Sequence, residues 1–321
     1  MKKSISGYDV GALLYCPANA HLSIVESIKT EQFSMPFSLA FCLEDTIHDE
    51  AVEDAEQILF QTLKQISDAK IKNDFYIPLI FVRIRSVQQL TKLAVEYKNF
   101  SNILTGFIIP KFYIENCDEY ISAIHHIKYV QNLNYFYMPI FESANMVDLK
   151  DRHENLIAIR EKLSPISNLI LNIRVGGNDF SNVFGLRRNI NNTIYEMKPV
   201  SELLIDIVTT FATQYVVSGP VWEYYAGDGW DTGLRNEIEI DMLSGFVGKT
   251  IIHPKQIAVV NDMLKVSKMD YKDACCILNW DENNKTLVSS NVNSHRMNEY
   301  NTHHRWAHKI LRLAQIYGIK E

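Results

Sequence analysis

The sequence predicts one α/β fold, a (β/α)8 barrel of the TIM type with a C-terminal extension. That expectation rests on eight spaced apolar runs, the amphipathic segments between them and the length of the chain. The runs are Ala12–Cys16, Leu39–Leu43, Leu79–Ile84, Leu104–Ile109, Phe136–Phe141, Leu169–Val175, Tyr215–Ser218 and Thr250–Ile252. Their ends lie roughly 25–45 residues apart, which leaves room for a crossover helix in each gap. Several are apolar almost throughout, as strands buried on both faces are. At 321 residues the chain has the length of a barrel with an added segment. Strict alternation of strand and helix fits a closed barrel better than an open sheet.

The segments between the runs carry helical stripes. Val52, Ala55, Leu59, Leu63 and Ile66 follow Asp49 and Glu50, acidic residues suited to a helix N-terminus. Leu90, Leu93, Ala94 and Tyr97 repeat the pattern, as do Ile121, Ile124, Ile127 and Val130, and then Leu203, Leu204, Ile207 and Phe211. Leu234, Ile238 and Met242 precede Gly245, a helix stop. Residues 1–264 are therefore expected to form the barrel and 265–321 the extension. The extension reads as a long Asn- and Ser-rich loop over Asp281–Tyr300, then a helix carrying Trp306, Ile310, Leu313 and Ile316 and ending at Gly318. It has too few apolar residues for a core of its own.

Composition narrows the class of function. With 47% hydrophobic and 22% charged residues, the chain can bury a sizeable core and is not disordered. A formal net charge of −6 gives no global case for nucleic acid or for an anionic membrane. No stretch approaches the ~20 apolar residues of a membrane span. Met1-Lys2-Lys3 is not followed by a signal-length apolar segment, so the expected location is the cytoplasm. Five cysteines without C-x-x-C spacing suit a reducing compartment rather than a disulfide framework or a zinc cluster.

Barrel enzymes place their reacting groups where the strands run out. Those positions hold Glu44 and Asp45, Arg83 and Arg85, Lys111, Glu142, the turn Gly176-Gly177-Asn178-Asp179, and His253. Charge at a buried strand end is costly unless paired or bound. The set therefore reads as a site, against the alternative of a ring of salt bridges around the mouth. Carboxylates with no His or Cys alongside are hard oxygen ligands and point to Mg²⁺ or Mn²⁺. Glu142 and Asp179, on consecutive runs, are the expected metal pair, and Gly176 and Gly177 let backbone approach a ligand. A metal polarising an oxygen, with Arg83 gripping a carboxylate or enolate, is the arrangement that enolate chemistry needs. Lys111 as a Schiff-base nucleophile is an alternative, and the neighbouring carboxylates argue against it by favouring its charged form. Trp222, Tyr224, Tyr225 and Trp230 read either as a lid or as packing against the tail or a neighbouring subunit.

The strings C-L-E-D, V-R-I-R, I-I-P-K, P-I-F-E-S, G-G-N-D and G-F-V-G-K-T-I-I-H-P-K-Q-I occur in that order. Together they resemble the HpcH/HpaI aldolase/citrate lyase superfamily, which includes the citrate lyase beta subunit, over about Gly11–Leu264. The tail strings R-M-N-E-Y and W-A-H-K-I-L-R-L-A-Q-I-Y-G resemble the branch of C–C bond lyase-like barrels found beside tellurium-resistance and stress-response genes. The resemblance implies a Mg²⁺-dependent carbon–carbon lyase or aldolase acting next to an enolisable carbonyl. It implies Glu142 and Asp179 as metal ligands and Arg83 as the substrate-binding residue. Glu44 and Asp45 would hold metal-bound waters and orient the site, Lys111 would face the pocket, and His253 would contact substrate or pack. It also implies a homo-oligomer, a trimer or a multiple of one, whose C-terminal segments cover a neighbour's mouth.

Three departures stand out: Arg85 where the family usually has Asn, Asn178 where it commonly has Glu, and Arg187-Arg188 after Asp179. They are expected to add positive charge near the mouth and to put an acyl-CoA substrate in question. The expected substrate is thus a keto or hydroxy acid, its CoA thioester or a phosphorylated compound. Two other functions remain open at this point. One is a catalytically silent barrel serving as a binding or scaffold subunit; the other is a related barrel acting on phosphoenolpyruvate-like acids.

Overall fold

The computed structural model describes residues 5–19, 21–280, 286–291 and 295–320. Packing divides the chain into two compact units, one up to Val260 and one from Asn261. In the first, the strands are β1 (Ala12–Pro17), β2 (Ser38–Cys42), β3 (Leu79–Arg83), β4 (Leu104–Ile109), β5 (Phe136–Phe141), β6 (Ile173–Val175), β7 (Val217–Ser218) and β8 (Lys249–Ile251). They form one sheet in the order β7-β6-β5-β4-β3-β2-β1-β8, every pair parallel. A parallel bridge between Gly219 and Lys249 joins the two end strands, and the expected barrel closes.

Each gap holds a helix: α1 (His21–Lys29), α2 (Val52–Lys72), α3 (Val87–Glu96), α4 (Cys117–His125), α5 (Arg152–Leu163), the pair α6 (Gly177–Val183) and α7 (Lys198–Phe211), and α8 (Trp230–Ser244). After β8 comes α9 (Lys255–Leu264). The predicted stripes face inward on α2, α3 and α7, where Ala55, Leu59, Leu63, Leu90, Leu93, Leu203, Leu204 and Ile207 are buried. One stripe breaks. A π turn over His126–Val130 follows α4, and its wider winding carries Val130 off the buried face to 71% exposure. The sixth run is also shorter than expected. Pro165 opens a 3-10 turn over Ser164–Leu169, and its fixed φ favours that helical turn, so β6 begins only at Ile173.

Alternation along the strands builds the interior. Leu13 and Tyr15, Leu79 and Phe81, and Phe136, Met138 and Ile140 pack in one cluster, as inward positions of period two must. The same period places Arg83 above Phe81 and Glu142 above Ile140, at the C-terminal mouth.

Between β8 and the helix layer, charge is buried a second time. Lys249, 0% exposed, points away from the interior toward α8, where its Nζ lies 2.8 Å from Glu237 Oε1 and 2.7 Å from Asp241 Oδ2. The Tyr195 hydroxyl donates to Asp241 Oδ1 at 2.5 Å, and the Ile194 N–H to Glu237 Oε2 at 2.7 Å. Arg188 Nε sits 3.2 Å from Glu237 Oε2. Arg188 thus corrects one expectation: it is buried in this fastening between β8, α8 and the segment before α7, and adds no charge at the mouth. Arg187 is exposed and pairs with Glu223 at 3.3 Å.

The second unit contains α10 (Lys268–Leu278), β9 (Val288–Ser290), β10 (Met297–Glu299) and α11 (Tyr300–Tyr317). The antiparallel β9–β10 hairpin replaces part of the loop expected over 281–300, of which 281–285 and 292–294 lie outside the described residues. Ala274, Ile277 and Ala307 form an apolar cluster with Leu278, Trp306, Ile310 and Leu311 against it, so the extension does gather a small core. Arg296 reaches Asp270 and Asp273 at 2.7 and 2.6 Å, and its guanidinium lies 5.3 Å from the Trp306 ring. Gly318, at φ +88°, ends α11 as expected. Among the described residues, no helix is long and apolar enough to cross a membrane.

Candidate active site

The mouth of the barrel gathers most of the residues singled out from the sequence. Arg83, 8% exposed, places its Nη2 2.6 Å from Glu44 Oε2, 3.0 Å from Asp45 Oδ2 and 2.9 Å from Glu142 Oε1. Lys111 Nζ lies 2.5 Å from Glu44 Oε1 and 3.3 Å from Asp45 Oδ1. The backbone at Lys111 is left-handed, φ +48°, a strained conformation for a residue with a Cβ. It aims the Lys111 N–H at Glu142 Oε1, 3.0 Å away.

Asp179, near the start of α6, faces Glu142 across Gly176. A Cβ on Gly176 would sit 2.2 Å from Glu142 Cβ, 2.6 Å from Glu142 Oε2 and 3.0 Å from Asp179 Oδ2, so only glycine lets the backbone lie this close to the two carboxylates. Gly177 serves packing instead, since a Cβ there would meet Ile194 and Pro220 at 2.4 and 2.7 Å.

Electrostatics set the character of this cluster. Burial pushes the Glu142 carboxyl up to about 8 against the pull of Arg83, and Asp179 beside it adds to the rise. Asp179 is raised too, by burial first, with Arg83 opposing and Asp45 adding. Burial also raises Glu44 despite Arg83. Asp45 goes the other way: burial would raise it, but hydrogen bonding with Glu44 and the charges of Arg83 and Lys111 hold it below its usual range. On Lys111 burial favours the neutral amine, and Glu44 and Asp45 outweigh it, so its pKa is raised and the side chain stays an ammonium. Four carboxylates therefore share Arg83 and Lys111 as their cations, and the pair formed by buried Glu142 and half-buried Asp179 calls for a further positive charge or a proton.

Arg85 sits elsewhere than expected, and His253 takes the packing role of its two expected ones. Arg85 does not face the cavity. Because β3 ends at Arg83, the strand alternation stops there and the Arg85 side chain turns onto the loop after β2. Its Nε donates to Leu43 O at 2.7 Å, its Nη2 donates to Ile47 O at 2.6 Å, and its Nη1 pairs with Asp49. Arg85 therefore holds the loop that carries Glu44 and Asp45. His253 stacks on Tyr225, ring centroids 4.6 Å apart and 3° from parallel, outside the cavity wall. The aromatic loop packs within the barrel unit: Trp222 is fully buried under the Arg188 guanidinium at 5.2 Å. The carbonyls of Trp222 and Tyr224 accept from Gln256 Nε2 at 3.1 and 2.9 Å.

Beside the cluster lies a cavity of about 200 Å³ whose walls include Tyr15, Arg83, Glu142, Arg174, Asn178 and Thr250. Sequence reasoning missed Tyr15, Arg174 and Thr250. A signal was available for one of them, since Asn172 and Arg174 interrupt an otherwise apolar run.

Fold and site together define a (β/α)8 enzyme barrel with a carboxylate–guanidinium centre at its strand ends. The model of the C–C bond lyase family of the TIM-barrel fold matches residues 4–319, and the chain belongs to that family of carbon–carbon lyases. No curated protein sequence matches it. Among solved structures, CitE from Mycobacterium tuberculosis, in complex with magnesium, acetoacetate and coenzyme A, is 15% identical with a TM-score of 0.61, covering 95% of this chain and 98% of that one. The lead(II) complex of Haloferax volcanii malate synthase is 13% identical with a TM-score of 0.62, covering 81% of this chain and 74% of that one. RipC from Yersinia pestis is 14% identical with a TM-score of 0.54, covering 80% and 96%. At these identities the likeness is one of fold, and it agrees with the superfamily resemblance of the sequence.

Proposed function

We propose that the barrel is a Mg²⁺- or Mn²⁺-dependent lyase or aldolase that cleaves or forms the bond next to an enolisable carbonyl of a small keto or hydroxy acid. The observation that carries this reading is the pair Glu142–Asp179, one buried and one half-buried, both carboxyls raised by burial and both lying against Gly176, where a Cβ would collide with them. Among the described residues no group of three or more His, Cys, Asp or Glu is placed to hold a metal ion. A two-carboxylate site with no nitrogen or sulfur donor suits Mg²⁺, which keeps waters and substrate as its other ligands. When bound, the cation supplies Lewis-acid polarisation of the carbonyl oxygen.

The chain's own groups do the rest. Arg83, rigid and always charged, holds the acid's carboxylate at the mouth. Glu44 and Asp45, with pKa values pushed in opposite directions, are a pair suited to take and return a proton. Lys111 acts as a cation near the developing negative charge. The arginines at which the sequence departs from the family, Arg85, Arg187 and Arg188, are each paired with a carboxylate and so do not disfavour a CoA thioester. CitE, similar in fold, was solved with magnesium and coenzyme A.

With a panel of keto acids, hydroxy acids and their CoA thioesters, EDTA is expected to abolish turnover. Borohydride added with substrate is expected to leave Lys111 unlabelled. Metal-independent turnover with a reduced adduct on Lys111 would replace this reading with imine chemistry.

We also infer a homo-oligomer, a trimer or a multiple of one. The hairpin exposes Leu287, Val288 and Met297 at 48%, 47% and 54%, apolar surface that symmetric assembly covers. Light scattering is expected to give a multiple of the 37.0 kDa chain mass; a single-chain mass at micromolar concentration contradicts it.

A further inference from the structure

Among the described residues four arginines are buried: Arg83, Arg152, Arg174 and Arg188. Three have carboxylates. Arg83 has the cluster at the mouth, Arg152 lies 3.1 Å from Asp206, and Arg188 lies 3.2 Å from Glu237. Arg174, only 1% exposed, has neutral partners alone. Its Nη1 donates to Asn172 Oδ1 at 3.4 Å, its Nη2 donates to Thr250 Oγ1, and the Tyr15 hydroxyl oxygen accepts a further bond. Its Nε has no partner, and the side chain borders the cavity together with Tyr15 and Thr250.

A guanidinium cannot shed its proton in a protein, so this charge stays in the barrel interior without a counter-ion. The placement is asymmetric. Glu44, Asp45, Arg83, Lys111 and Glu142 come from the β2–β5 arc, whereas Tyr15, Arg174 and Thr250 come from β1, β6 and β8. Tyr15 spans the two, with its ring 5.8 Å from the Arg83 guanidinium and its hydroxyl bonded to Arg174.

We propose that Arg174, oriented by Thr250 and Tyr15, is a second anion subsite that takes the distal carboxylate or phosphoryl group of a small dianionic acid. The side chain borders the cavity with no carboxylate to pair it, its buried Nε keeps donor capacity unused, and a guanidinium matches such an oxyanion with paired hydrogen bonds. The compact cavity suits an acid with few carbons between its charges. This assignment rests on the reading of the cavity as the substrate site and makes that substrate doubly charged; it does not depend on the metal.

Three related probes test it: lactate, malate, which is lactate bearing a second carboxylate, and 3-phosphoglycerate, which bears a phosphate ester at the same carbon. Each is titrated calorimetrically into the full chain, with and without Mg²⁺. The wild-type protein is expected to bind malate or 3-phosphoglycerate ~10-fold or more tighter than lactate, the scale of a hydrogen bond to a charged group. The acid that loses this advantage in Arg174→Met names the second group, carboxylate or phosphate. In that variant lactate binding should be unchanged, and the acid-free protein should melt no lower than wild type, because a buried unpaired charge has been removed. Should Arg174→Met fail to fold, Thr250→Val decides, with the advantage expected to fall severalfold.

Equal affinity for all three acids in the wild-type protein overturns the proposal. So does an advantage that survives the substitutions, or a variant that melts lower and keeps its preference. Mg²⁺ titrated alone reads the metal assignment separately: a wild-type protein that ignores Mg²⁺ but prefers the dianions loses the metal and keeps the subsite.

Discussion

Lys249→Met is expected to destabilise the barrel by ~3–5 kcal/mol, the range found when one partner of a buried ion pair is removed. Lys249 has no exposed surface, and its ammonium is bonded to Glu237 and Asp241 together. Burial pushes the Asp241 carboxyl up to about 6 even with Lys249 beside it. Without the ammonium, among the described residues Asp241 keeps the Tyr195 hydroxyl and Glu237 the Ile194 N–H as donors, with the Arg188 guanidinium 3.2 Å from Glu237. The loss falls on β8 at the residue that bridges to Gly219 after β7, so it acts at the seam of the barrel. Urea denaturation of wild type and variant measures it, and a loss under ~1 kcal/mol would mean that the cluster relaxes or admits water. Adding Glu237→Gln and Asp241→Leu to Lys249→Met should recover much of the loss, because a buried charge cluster can be replaced by neutral packing.

Arg83→Gln is expected to weaken acid binding ~100-fold, from loss of a fully engaged charge at a buried contact. One nitrogen of Arg83 lies within 3.0 Å of Glu44, Asp45 and Glu142, so its removal leaves those carboxylates facing the incoming acid with one charge partner fewer. The repulsion acts on the acid and not on a cation. Malate affinity should therefore collapse while Mn²⁺ affinity holds or rises. Arg83→Lys should recover little, because a lysine offers one point charge in place of a planar fork. Malate binding within threefold of wild type would remove Arg83 from the substrate site.

The strand ends are legible in the sequence because the chemistry changes there: an apolar run stops and Glu44, Arg83, Lys111 or Glu142 begins. The structure brings these four together with Asp45 and Asp179. Arg85 cannot be placed the same way, since strand alternation puts it on the inner face with Arg83 and only the end of β3 turns it outward. Arg188 looks like surface charge in the sequence because its partner, Glu237, is remote along the chain and on another helix. Arg174 and Tyr15 lie inside apolar runs, where composition does not say which face a residue takes; register decides that. The turn over His126–Val130 defeats a simple helical stripe because one wide turn rotates the side chains beyond it. The β9–β10 hairpin hides in a polar stretch, since a pair of three-residue strands leaves almost no periodic signal.

The central claim, a divalent cation held between Glu142 and Asp179, is tested most directly by titrating Mn²⁺ into wild type, Glu142→Gln and Asp179→Asn. The account predicts one ion per chain and a loss of ~100-fold or more in each variant, since both are placed as direct ligands and even outer partners of a metal matter by ~10–100-fold. It also predicts a pH profile. A proton on Glu142 competes with the metal, so affinity should climb as pH rises toward about 8, where that carboxyl ionises, and level off above it. Equal Mn²⁺ affinity in the wild-type protein and both variants, flat across that range, would contradict the assignment.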